Sequence, residues 1–193
     1  MTSRNRYTAL LDANVLVPNR LTDLLVQLAV DDLFRAKWTN DIHREWMKTV
    51  RRLYPDMGAD SVERRRDQMD AETRNALVDG YDMIIDSLDL PDEKDRHVLA
   101  AAIVGRCDVI VTYNLKDFPS DELSKYGIES QHPDVFLANH LDLFPGKFCA
   151  DVRTVRRRHI RKKFTVDEYL DSLSELELVA TAAGLREYDL MLD

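Results

Sequence analysis

The chain has 193 residues and a mass of 22.3 kDa, with 45% hydrophobic and 32% charged residues, which fits one soluble globular domain plus an appendage. Its longest apolar run, Val98–Val104, is far too short to cross a bilayer, and the apolar stretch Tyr7–Pro18 carries Asp12 and Asn14 and is no signal peptide. Two cysteines without a CxxC pair exclude a disulfide scaffold and a thiolate zinc site, so a cytoplasmic setting without membrane contact is expected.

Tyr7-Thr8-Ala9-Leu10-Leu11 is apolar without alternation and ends abruptly at Asp12-Ala13-Asn14, the pattern of a buried parallel strand. Leu21, Leu24, Leu25, Leu28 and Leu33 recur at helical spacing. Thr39-Asn40-Asp41 reads as the cap of a helix that buries Ile42, Trp46, Val50 and Leu53 and stops at Pro55. Residues 61–87, polar with scattered apolar positions, predict one long or two shorter surface helices. After the turn at Leu90-Pro91-Asp92, the Ala-rich run Val98–Val104 predicts a buried helix starting near Asp95 and ending near Gly105. Residues 108–114 (Asp-Val-Ile-Val-Thr-Tyr-Asn) form a second buried strand, Gly127-Ile128-Glu129-Ser130 a third and weaker one, and Pro133 opens another helix. This alternation predicts an α/β fold with a parallel sheet. Thr165-Val166-Asp167-Glu168 is a capping box for a tail helix with Tyr169, Leu170, Leu173 and Leu176 on one face, closing near Gly184.

Charge is uneven along the chain. Residues 1–145 carry a net −8, residues 146–163 a net +7 and residues 164–193 a net −7. The basic block, with Lys147, Arg153, Arg156, Arg157, Arg158, Arg161, Lys162 and Lys163, reads as a hinge between an acidic main domain (1–145) and an acidic helical extension (146–193 including the hinge). Two readings of that block stay open: internal pairing with the tail, or a strip that contacts phosphates.

With 35 acidic residues, only placement carries information about chemistry. Asp12 stands at the carboxyl end of the first strand, and Asn114 and Asp117 stand at or just past that of the second, where ligands bind in open parallel sheets. Asp95 begins the helix that feeds the second strand, where the helix dipole also favours a carboxylate. Glu45 lies beside Ile42 and Trp46, at the boundary of the core, or is a solvated helical glutamate. Four carboxylates converging on one sheet edge are tolerable only if a cation neutralises them or some stay protonated. Oxygen ligands of this kind suit Mg²⁺ or Mn²⁺. The alternatives fit less well: there is no GxxxxGK, GxGxxG, HExxH or GxSxG, and the five histidines have no zinc-ligand spacing. His97, beside Asp95, reads as helix-start packing or as a group orienting a phosphate or water.

Four segments together resemble the PIN-domain family, the nuclease domain of VapC-type toxins. They are Leu10-Leu11-Asp12-Ala13-Asn14-Val15-Leu16, Thr39 through Glu45, Asp95-Arg96-His97-Val98-Leu99-Ala100-Ala101-Ala102, and Val111-Thr112-Tyr113-Asn114-Leu115-Lys116-Asp117-Phe118. The resemblance covers residues 7–145, and the tail is similar to the helical C-terminal extension of one PIN-toxin subgroup. It implies a three-layer α/β/α fold around a central parallel sheet. It implies Asp12, Glu45, Asp95 and Asp117 as the metal-binding, catalytic acids, with Asn14, Thr112 and Asn114 as supporting polar groups. PIN relatives often carry an acid where this chain has Lys94; Asp92 compensates, or Lys94 contacts a phosphate. The implied activity is a Mg²⁺- or Mn²⁺-dependent endoribonuclease, the toxin of a toxin–antitoxin pair silenced by a small antitoxin protein. Lys94, Arg96, Arg156, Arg157 and Arg158 are the candidate RNA contacts, and a homodimer is an open expectation. Rival readings are a non-catalytic RNA-binding PIN module and a metal-dependent DNA nuclease or phosphatase on the same acids.

Overall fold

The computed structural model describes residues 7–159 and 163–192. In chain order its first elements are β1 (Thr8–Leu11), α1 (Ala13–Leu16), α2 (Asn19–Val30), β2 (Arg35–Lys37), α3 (Asn40–Leu53) and α4 (Ala59–Glu72). Then come α5 (Arg96–Val104), β3 (Val109–Val111), α6 (Ser120–Leu123), β4 (Glu129–Gln131) and α7 (Pro133–Leu143). The chain closes with α8 (Pro145–Arg158), α9 (Val166–Ser174), α10 (Val179–Arg186) and α11 (Asp189–Leu192). No described helix is long and apolar enough to cross a membrane.

These elements form two compact units, one of Met1–Val17 and Phe34–His132, the other of Pro18–Leu33 and Pro133–Asp193. The first unit holds a four-stranded, all-parallel sheet in the order β2-β1-β3-β4. This is the α/β architecture expected, with helices around a parallel sheet and further helices at the C-terminal end. β1 and β3 are buried at every position, which is why both read as unbroken apolar runs. The edge strand β2, with the sequence Arg-Ala-Lys, has no apolar pattern and escaped the sequence reading.

The order matters for the site. β1 is followed to one side by β2, and β3 to the other by β4, so the direction of winding reverses between β1 and β3. Leu11 pairs with Val111 in register, so the next residues, Asp12 and Thr112, leave the sheet side by side at that reversal.

Around the sheet, α5 packs Ala100, Ala101 and Ala102 without exposure against β1, and Gly105 caps it as expected. Thr39 caps α3 by accepting a 3.1 Å bond from the Ile42 amide. Ile42, Trp46 and Val50 are buried on α3, but Leu53, expected with them, is 53% exposed because the helix ends there. The polar stretch after Pro55 forms α4, which buries Val62 and Met69, and a 3-10 turn over Asp82–Ser87.

In the second unit, α2 lays Leu21, Leu24, Leu25 and Leu28 into a core shared with Phe148, Cys149, Val152 and Val155 of α8. The basic block expected to be a hinge is mostly this helix. Val152 and Val155 recur with Phe148 and Cys149 at helical spacing, and burying them outweighs the cost of the crowded arginines. Arg161 and Lys162 lie outside the described residues. The capping box at Thr165 forms, with Glu168 bonding back to the Thr165 amide at 2.9 Å. The tail helix ends earlier than expected, at Ser174, and Gly184 lies inside α10 instead. A Cβ there would come within 2.9 Å of Leu141 Cδ2, so glycine permits the close approach of α10 to α7.

Candidate active site

The strand ends place a braid of hydrogen bonds. Asp12 is the N-cap of α1 and accepts from the Ala13 amide at 2.6 Å through Oδ1. Its Oδ2 accepts from Asn14 Nδ2 and from Thr112 Oγ1, both at 2.7 Å. Asn14 Nδ2 also donates to Thr112 Oγ1 at 2.9 Å, and Asn14 Oδ1 accepts from the Tyr113 amide at 3.1 Å. The Asn114 amide donates to Thr112 Oγ1 at 3.0 Å, and Asn114 Nδ2 donates to Asp117. These bonds lock Asp12 and Asp117 to the two strand ends. Only 8% of Asp12 is exposed; burial pushes its pKa up, while the Thr112 and Ala13 bonds pull it back down.

An open cleft of about 420 Å³ lies over this braid, lined by Asp12, Ala13, Asn14, Val17, Glu45, Thr49, Asp95 and Asn114. Asp95 enters it from the 3-10 turn Glu93–Asp95 that leads into α5. Burial and then the charges of Asp12, Asp92 and Asp117 push Asp95 up to about 6. Three of the four expected acids thus share the cleft wall. Asp117 stands next to it, close enough to act on Asp95 and tied to the lining residue Asn114.

Glu45 is half exposed, with Oε1 3.0 Å from His97 Nε2. The two His97 ring nitrogens are buried and neither makes a hydrogen bond, so this approach is a close electrostatic contact with unfavourable bonding angles. His97 thus belongs to the site. The sequence signal was its position two residues after Asp95; Thr49, one turn after Glu45, had no signal of its own.

The donor set is made of oxygens, as a hard divalent cation requires. Among the described residues no three His, Cys, Asp or Glu side chains close into a metal cage. Mg²⁺ needs no such cage, because it keeps several waters and takes one or two carboxylates. The fit rests on charge: Asp12, Asp92 and Asp117 all raise the pKa of Asp95, the repulsion that a cation in the cleft would relieve.

Behind the cleft, Arg65 of α4 donates to the Leu16 and Val17 carbonyls at the end of α1, and its guanidinium stacks 4.7 Å from the Trp46 ring of α3. Trp46 Nε1 donates to His43 Nδ1 at 2.8 Å, and His43 Nε2 meets Asp70 at 3.0 Å, where Trp38 Nε1 also donates at 2.7 Å. α4 therefore holds the two elements that carry Asp12 and Glu45.

The expected RNA contacts are placed unevenly. Lys94 is exposed. Arg96 pairs with Glu93 at 3.3 Å and is only 20% exposed. Arg156 spends its guanidinium on the carbonyls of Phe164 at 2.9 Å and Leu192 at 2.8 Å, while Arg157 and Arg158 are exposed.

Residues 8–116 match the sequence model of the PIN domain, more than half of the chain, and the chain belongs to the PIN-domain family. Residues 133–187 match the model described as the VapC50 C-terminal domain, so the second unit's tail is similar to that module. Over 100 residues, 52% of this chain, the sequence is 43% identical to the Mycobacterium tuberculosis protein named "Putative ribonuclease VapC50". The match spans 59% of that relative's length. No solved structure matches the chain.

Proposed function

We propose that this chain is a Mg²⁺- or Mn²⁺-dependent endoribonuclease, and that it is the toxin of a toxin–antitoxin pair held silent by a small antitoxin protein. The observation that carries the reading is the acid cleft at the winding reversal, with Asp12 braced by Asn14, Thr112 and the Ala13 amide. The similarity to a protein named as a ribonuclease supports the same substrate.

Asp12, Glu45, Asp95 and Asp117 would hold one or two ions. Such an ion, when bound, supplies Lewis-acid activation of water and charge neutralisation at the scissile phosphate. The protein's own part is to keep four carboxylates at one edge despite their repulsion. Thr112 and Asn14 do this for Asp12, Asn114 for Asp117 and the His97 contact for Glu45. The reaction adds a water oxygen to phosphorus, breaks the bond to the 3′ oxygen and passes a proton to that oxygen. The products are a 5′ phosphate and a 3′ hydroxyl, and no histidine base is required.

The test is cleavage of total tRNA and rRNA with Mg²⁺ or Mn²⁺, with and without EDTA, beside DNA of matching sequence. The expected result is RNA cut to 5′-phosphate ends and protection by EDTA. RNA that is bound but left intact with both ions would overturn the reading in favour of a non-catalytic module. Equal cutting of DNA would make the site a general nuclease. The antitoxin is tested by co-purification with the small protein encoded beside this chain.

A further inference from the structure

An acid-lined cleft repels a polyanion, so a nucleic-acid substrate needs cations close to its rim. Screening limits their reach to about 8 Å at physiological salt. α3 supplies a line of candidates. Glu45, Lys48, Thr49 and Arg52 are spaced i, i+3, i+4 and i+7, which places them on one stripe of the helix. Glu45 and Thr49 line the cleft, so the stripe begins inside it. At 1.5 Å per residue, Lys48 stands about 4.5 Å along the axis from Glu45 and Arg52 about 4.5 Å from Thr49.

Of the four lysines and arginines on α3, Arg44 pairs with Asp41 and Arg51 with Glu63. Lys48 and Arg52 are exposed and have neither hydrogen bond nor ion pair among the described residues. These two α3 cations without partners each stand one turn from a residue of the cleft wall, Lys48 three positions after Glu45 and Arg52 three after Thr49. Exposed cations without protein partners keep the counterion exchange that drives binding to phosphates. One stripe on one helix follows a single backbone, whereas duplex RNA is recognised by contacts spread across its minor groove.

We propose that the stripe Lys48–Thr49–Arg52 is the track by which one single-stranded RNA segment enters the acid cleft, with Lys48 and Arg52 contacting phosphates. The proposal rests on the nuclease reading of the cleft and names where its substrate lies.

The test measures binding of a fluorescent single-stranded RNA in EDTA, where no cleavage occurs, between about 50 and 200 mM salt. Wild type is compared with Lys48→Ala, Arg52→Ala, the double variant and Arg44→Ala. Each stripe variant is expected to flatten the slope of log affinity against log salt by about 0.7, and the double variant by about 1.4. Arg44→Ala, whose charge is already paired, should flatten it by less. With metal present, the loss should fall on KM. A double variant with the wild-type slope overturns the track, as does an effect of Arg44→Ala equal to that of the stripe. The track is equally overturned if wild type binds no RNA, or if the double variant loses only the neighbouring-gene protein. A slope that depends on Lys48 and Arg52 in a protein that cuts no RNA sinks the nuclease reading and leaves the track standing.

Discussion

Asp12 is the residue on which the site turns. Three donors hold it, burial disfavours its charge, and it faces other acids. Asp12→Asn should abolish metal-dependent cleavage while the metal-free protein melts no lower than wild type, since a buried negative charge has been removed. Full cleavage by this variant would dismiss Asp12 as a ligand. Asp95 gives the matching pH signature. Its folded pKa of about 6 lies above the usual carboxylate value of 3.8. Below 3.8 it is protonated folded or unfolded and contributes nothing to the difference. As pH rises towards 6 the unfolded chain ionises first, so stability is lost across that window and the penalty is complete above it. Asp95→Asn should therefore melt higher than wild type at pH 7 without metal, and the gain should disappear near pH 4. An equal gain at both values would mean that Asp95 does not titrate in this range.

At the scale of elements, α1 is only four residues long and cannot hold itself. Arg65 satisfies its last carbonyls and stacks on Trp46, so it joins α1 to α3. Hydrogen bonds from a charged group contribute about 1.5–3 kcal/mol, so Arg65→Met should cost on the order of 2 kcal/mol in a denaturation curve. Amide exchange at Ala13–Leu16 should rise with it; unchanged exchange there would show that α1 is held by something else. The second unit has its own charged joint. Asp151 on α8 is buried beside the Asp31 carboxylate at the end of α2, and the Gln27 amide nitrogen donates to both, at 2.8 Å to Asp31 and 3.4 Å to Asp151. Burial and the neighbouring Asp31 push Asp151 up to about 8, while Asp31 stays low, so the two share one proton at neutral pH. Its folded pKa is raised, so its stability is lost between pH 3.8 and 8 and the full penalty is present above 8. Melting curves at pH 7 and 9 should show wild type falling more than Asp151→Asn. Parallel falls would separate the two carboxyl groups.

Across the whole molecule, a chain of net charge −8 must gather its cations locally if it is to take the proposed RNA substrate. The basic block of α8 is not uniform. Arg156 ties down the carbonyls of Phe164 and Leu192, whereas Asp167 and Asp171 of the tail are paired by Arg186. Arg156→Ala should therefore lower stability. Arg157→Ala/Arg158→Ala should flatten the salt dependence of RNA affinity by up to about 1.4. Melting and salt-dependent binding of both variants decide this, and an unchanged slope in the double variant would remove α8 from the RNA surface. Added Mg²⁺ or Mn²⁺ should raise the melting temperature, by roughly 2.7 kcal/mol of stabilisation at about 100 times the dissociation constant. The effect should vanish in Asp12→Asn/Asp117→Asn; an unaltered shift would place the ion elsewhere.

The sequence by itself determined the central strands, the Ala-rich helix between them and the placing of Asp12, Asn114 and Asp117 at strand ends. Burial on both faces leaves an unbroken apolar run, and such a run must stop where the chain meets water. It also determined the caps at Thr39 and Thr165, because a cap is a local contact within one turn. Only the tertiary structure decided which acids meet. The contact of Glu45 with His97, the stacking of Arg65 on Trp46 and the bonds from Thr112 to Asp12 join residues far apart in sequence, and no local pattern encodes them. The edge strand Arg35–Lys37 was hidden for a related reason, since three residues with one buried position leave no period to read. The partnership of α2 with α8 was hidden as well: the leucines of α2 announce an apolar face, but a hydrophobic face carries no address, and the helix that covers it comes more than a hundred residues later.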